Sequence, residues 1–167
     1  LVLSLCLGAA GIPLPRLWEA LVHGGGGIEA RVLWYARAPR AVACLLAGAA
    51  LSVSGAVIQS VLANPLAAPN IIGVNAGAGL AVSVCCAVGA SGWAAAGAAF
   101  FGALGAVMLV VALAQRTGAS RSTVALGGVA VGSFLSAVTE AVAVLSPEAG
   151  VGTADFRVGG FSAVSPA

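Results

Sequence analysis

Residues 41 to 115 contain no Asp, Glu, Lys, Arg or His, a charge-free run of about 75 residues. A soluble domain cannot cover its surface with so little charge. A membrane's hydrocarbon core takes roughly 20 apolar helical residues to cross, so this stretch has room for about three crossings and their turns. Ser122 to Thr139 is again uncharged. Over the whole chain 60% of residues are hydrophobic and 7% charged, against the roughly 25% charge usual in soluble domains. The pattern predicts an all-α, polytopic membrane bundle.

Several chemistries are excluded by composition. All seven basic residues are arginine, so no phosphate-cradling loop ending in Lys-Ser/Thr is present. If ATP drives this protein, another chain must bind it. A net charge of +2 is too small and scattered for a nucleic-acid footprint. Cys6, Cys44, Cys85 and Cys86 lie in apolar stretches without metal-ligand spacing and read as inert thiols. An intramembrane enzyme would need convergent catalytic groups; one His, His23, and one deep Glu do not supply them. No cofactor or metal is expected.

Breaks in the pattern place the spans. Leu1 to Gly11 is half a span and reads as the tail of a truncated first helix. Ile12 to Arg40 reads as a loop with four of the seven arginines and a short amphipathic helix over Ile28–Ala36. Trp34 and Tyr35 suit the headgroup level there. Further spans are expected at Ala41–Ala63, Ile71–Ala90, Trp93–Ala114 and Ser122–Leu145, about five in all. Asn64-Pro65 and Pro147 act as stops, since proline lacks a donor and restricts the residue before it. The GxxxG pairs Gly73/Gly77 and Gly128/Gly132 predict close helix packing.

The informative stretch is 37 to 80. Arg37-Ala-Pro-Arg40 sets two guanidinium groups at the head of a span. They suit either an interfacial anchor or a site for a partner's carboxylates. Gly48, Ser52, Gly55 and Gln59 recur on one helix face, lining a path or packing on a neighbour. Asn64-Pro-Leu-Ala-Ala-Pro-Asn70 makes a rigid turn before a glycine-rich helix carrying Asn75. Glu140, in an otherwise apolar helix, is a pathway candidate by default. Near a helix end it also has water or an arginine within reach.

The ordered elements Arg37–Arg40, Ser54–Gln59, Asn64–Pro69 and Gly73–Ala78 resemble the permeases of binding-protein-dependent ABC importers for iron–siderophores, haem and vitamin B12, the FecCD-type family. The resemblance implies the N-terminal half, residues 1–167, of a permease with around ten spans in the bacterial cytoplasmic (inner) membrane. It implies a second permease copy (identical or related), two cytoplasmic ATPase subunits and a periplasmic or lipid-anchored binding protein. The segment contacting the ATPase would lie in the other half.

It also implies that Arg37 and Arg40 face outward and receive acidic side chains of the binding protein. A bare arginine count across the loops, five against two, would instead place them in the cytoplasm; the resemblance is followed here. Phe156-Arg-Val-Gly-Gly-Phe161 is similar to the family's aromatic-x-x-Gly segment after the fifth span, with Phe where Trp is common. The competing reading is a secondary transporter driven by an ion gradient, with Asn64–Asn70 as its broken helix.

Overall fold

A computed structural model describes residues 13–23, 27–90, 92–118 and 120–159. Every regular element among them is a helix. The chain divides into two compact units, Leu1–Ser52 with Gly160–Ala167, and Val53–Gly159. The partial first helix at 1–11, Cys6 and the segment after Gly159 lie outside the described residues.

The first unit departs from the expected loop. Helix α1 runs Leu14–His23 and packs beside α2, Ile28–Arg31. Chain direction then continues unbroken through a π-helix, Val32–Arg37, into α3, Ala38–Leu62. Pro15 sits in the first turn of α1, where a missing N–H costs nothing. Pro39 is the surprise, because a proline ring inside a helix collides with the carbonyl four residues back. The π-turn immediately before it is a wider coil, marked by the Ala38 N–H bonding to Leu33 O. We attribute the continuity of the helix through Pro39 to that widening. The result is an apolar segment from Val32 to Leu62, 31 residues long.

The second unit starts with the end of α3, closed by a Schellman turn. Ala63 takes the left-handed position at φ 48°. The Ala63 N–H bonds to Ser60 O, and the Asn64 N–H to Gln59 O, at 3.3 and 3.1 Å. A 3-10 turn, Pro69–Ile72, leads through Gly73 at φ 79° into α4, Val74–Ala87. This helix is shorter than the expected span Ile71–Ala90. Fourteen residues reach about 21 Å, short of a hydrocarbon core of about 30 Å.

Helix α4 is instead the packed centre of this unit. It lies against α5 (Trp93–Thr117), α6 (Arg121–Leu145) and α7 (Pro147–Val158). Its Gly77, Ala78, Gly79, Val82 and Ser83 are buried. Glycine makes the approach possible: a Cβ on Gly77 would overlap the Gly102 carbonyl of α5, and one on Gly128 would overlap Ile71 O. Both expected GxxxG pairs thus sit at helix contacts.

Helices α5 and α6 begin and end within a few residues of the expected spans. Gly118 closes α5 in the left-handed region. Ser120 caps α6, its hydroxyl accepting from the Thr123 N–H at 3.4 Å. Ser146 is extended, and Pro147 opens α7, a helix that the sequence did not suggest. Among the described residues three helices are long and apolar enough to cross a membrane: Val32–Leu62, Trp93–Arg116 and Thr123–Leu145.

Candidate functional site

The sequence candidates fall into distinct settings. Arg37 and Arg40 are both in the first unit, on the π-helix and at the start of α3. They are not equivalent. Arg37 is buried, at 9% exposure, whereas Arg40 is exposed. Each already makes an interaction within the chain.

Gly48, Ser52, Gly55 and Gln59 are turns apart along α3. A methyl added at Gly48 or Gly55 would meet no atom within 4 Å, and Ser52 and Gln59 are exposed. The Ser52 hydroxyl donates to Gly48 O at 2.8 Å, and Ser60 donates likewise to Ala56 O at 2.9 Å. Hydroxyls satisfied inside their own helix need no water, so they are tolerated against lipid.

Asn64 works locally. Its Oδ1 accepts from the Leu66 N–H at 2.9 Å, and its carbonyl accepts from the Ala67 N–H at 3.1 Å. This Asx-turn bends the chain out of α3 toward the 3-10 turn.

The second unit holds a recess of roughly 290 Å³ between α4, α6 and α7, lined by Asn75, Gly79, Ser136, Thr139, Phe156 and Arg157. It brings Asn75 onto one wall with Thr139, the neighbour of Glu140. Glu140 forms an ion pair with Arg157 across the Ser146–Pro147 corner, both side chains more than half exposed. An arginine is thus within reach of Glu140, as its place near the helix end allows. The Phe156 ring packs on Gly79, where an added Cβ would stand 3.5 Å away.

Sequence reasoning did not single out Ser136 or Thr139, and it knew Phe156 and Arg157 only through the aromatic-x-x-Gly resemblance. Ser136 and Thr139, with Glu140, follow i, i+3, i+4 spacing, the available signal that one face of α6 is polar. Thr139 is buried, its hydroxyl donating to Leu135 O at 2.9 Å. Two further hydroxyls, Ser83 on α4 and Thr153 on α7, are buried with no hydrogen-bond partner. Cys44 is exposed and Cys85 and Cys86 half-buried; among the described residues no group of side chains is arranged to hold a metal.

Comparison with known proteins agrees with this architecture. The chain is 37% identical over 152 residues to the ferric enterobactin transport system permease protein FepD of Escherichia coli, covering 87% of this chain and 45% of that one. It is 37% identical to the iron(3+)-hydroxamate import system permease protein FhuB of Bacillus subtilis, covering 85% and 38%. It is 38% identical to the vitamin B12 import system permease protein BtuC of Klebsiella pneumoniae, covering 83% and 40%. The chain therefore spans less than half the length of these relatives.

A solved structure of a metal-chelate type ABC transporter in an inward-facing conformation shares the fold. Its TM-score is 0.81 at 24% identity, covering 98% of this chain and 50% of that one. All these relatives are transport permeases or transporters of the ABC type or of import systems, which leaves the ion-gradient reading without support. The FecCD transport family matches residues 1–166, and the chain belongs to that family.

Proposed function

We propose that this chain is the N-terminal half of the permease of a binding-protein-dependent ABC importer, carrying an iron–siderophore or related metal chelate. The observation that carries the proposal is the family match over residues 1–166, joined to relatives named for ferric enterobactin, iron(3+)-hydroxamate and vitamin B12. The protein sits in the bacterial cytoplasmic membrane as a multi-pass chain. It pairs with a second permease copy and forms the translocation path. Two separate ATPase subunits supply the energy, and a periplasmic or lipid-anchored binding protein delivers the substrate.

Within this scheme Arg37 and Arg40 belong to the docking end. Gly48, Ser52, Gly55, Gln59, Asn64, Asn75 and Glu140 line or support the path. The recess beside Asn75, at roughly 290 Å³, falls at the lower edge of the ~300–1,000 Å³ usual for small-molecule sites. That size favours a path completed by surfaces beyond this recess.

The test is assembly. A full-length permease carrying this segment should copurify with its ATPase and bind the substrate-loaded binding protein in nanodiscs. Charge reversal of both arginines, Arg37→Glu with Arg40→Glu, should weaken docking while membrane insertion persists. Docking that is unchanged by the double reversal at fixed salt would remove the role given to this end of the helix.

A further inference from the structure

Helix α1 keeps an apolar face and a charged face open at the same time. Its Trp18 and Val22 are exposed by 69 and 57%. They stand four positions apart, so roughly 40° separates them around the helix. Glu19 and Arg16 are exposed too, offset from Trp18 by roughly 100 and 160°. A ten-residue helix of this amphipathic make-up suits a membrane surface, where one face meets acyl chains and the other meets water.

The surroundings of α1 in the chain say what covers the apolar face. Helix α1 packs beside α2, and α2 runs directly into the apolar segment Val32–Leu62. The 31 residues of that segment reach about 46 Å. A hydrocarbon core is about 30 Å thick, and a bilayer with its headgroups ~40–45 Å. The head of the segment therefore stands at the headgroup level, and α1 is tied to that level. Aromatic and aliphatic side chains are sorted on the same scale. Trp18, Trp34 and Tyr35 are exposed at or before the head. Residues 36–62 hold no aromatic and expose Leu45, Leu46 and Leu51 instead. Rings at one level and aliphatic chains along the shaft match the polarity profile of lipid. A protein partner would impose no such sorting.

We infer that α1 is an interfacial helix whose partner is the phospholipid bilayer itself. Trp18 and Val22 dip among the upper acyl chains, while Arg16 and Glu19 stay at the headgroups and water. The helix thereby ties the head of α3 to the membrane surface. The inference needs only the membrane crossing of Val32–Leu62, and it holds whatever substrate is carried.

The experiment places single nitroxide labels on the full-length permease, with its native cysteines replaced by serine, in phosphatidylcholine–phosphatidylglycerol liposomes. The labelled variants are Arg16→Cys, Trp18→Cys, Glu19→Cys and Val22→Cys. Power-saturation EPR compares collisions with oxygen, which concentrates in lipid, and with a water-soluble nickel chelate. Labels at 18 and 22 should favour oxygen and read about 5–10 Å below the headgroup boundary. Labels at 16 and 19 should favour the nickel chelate. Val22→Cys keeps the indole in place, so the test stays readable if loss of Trp18 lifts the helix. A preference for the nickel chelate at all four positions would put α1 in water and overturn the inference. Shielding of 18 and 22 from both reagents would assign the face to a protein contact and overturn it as well. Permease that fails to float with the liposomes would remove the membrane crossing itself.

Discussion

Helices α3 and α4 are written in the same alphabet of Gly, Ala, Val and Leu, yet they use their glycines in opposite ways. In α4 a Cβ at Gly77 would run into the backbone of α5, and Gly79 lies under the Phe156 ring. In α3 nothing lies within 4 Å of a Cβ built on Gly48 or Gly55. The first set holds this chain together. The second is open, and in the proposed scheme belongs to the path or to its support. Small residues at helical spacing therefore report that a close approach is permitted, and only the fold says whether this chain makes it.

Substitution should split the two helices most sharply. Gly77→Leu forces four carbons into a backbone contact, and overpacking of this kind costs about 3 kcal/mol or more. A large fall in Tm of the full-length permease in detergent is the expected reading. Gly48→Leu and Gly55→Leu should leave Tm nearly unchanged; a fall as large as that of Gly77→Leu would erase the contrast.

A second effect concerns the same core. The Ser83 and Thr153 hydroxyls are buried without partners, and an orphaned polar group costs about 1–3 kcal/mol. Ser83→Ala and Thr153→Val should therefore be neutral or raise Tm. Marked destabilisation by either would mean that the hydroxyl is satisfied after all.

Smaller changes are expected where α3 ends. Ala63 stands in the left-handed position that glycine usually fills. Relief of its Cβ clash, worth about 1–2 kcal/mol, is offset by glycine's extra entropy of about 0.5–1 kcal/mol. Ala63→Gly should gain a few tenths to one kcal/mol in thermal unfolding; a loss would contradict the cap.

The Glu140–Arg157 pair should matter least for stability. Both side chains are more than half exposed, and such pairs contribute about 0–1 kcal/mol. Arg157→Gln should barely move Tm. A shift comparable to that of Gly77→Leu would show that α7 depends on the pair.

Much of this architecture was legible in the sequence. The stops at Asn64-Pro65 and Pro147, and the extents of α5 and α6, follow from proline chemistry and from apolar length. Four features were hidden, each for a physical reason. Pro39 reads as a helix start, yet a π-turn stands before it and the helix runs through. The shortness of α4 was masked because in a nearly all-apolar chain the lipid-facing and core-facing residues look alike. Arg37 and Arg40 look equivalent in the sequence; their difference depends on which stripe of the helix is buried. The Glu140–Arg157 pair, 17 positions apart, needs the Ser146–Pro147 corner before it can be drawn.

The central claim is that this segment works within an ATP-driven importer, and uptake tests it most directly. The full-length permease is reconstituted with its ATPase and binding protein, and entry of a labelled ferric chelate into proteoliposomes is followed. Uptake should require hydrolysable ATP and the binding protein, and should persist when proton and sodium gradients are collapsed. Uptake that ignores ATP and stops when those gradients are collapsed would contradict the account.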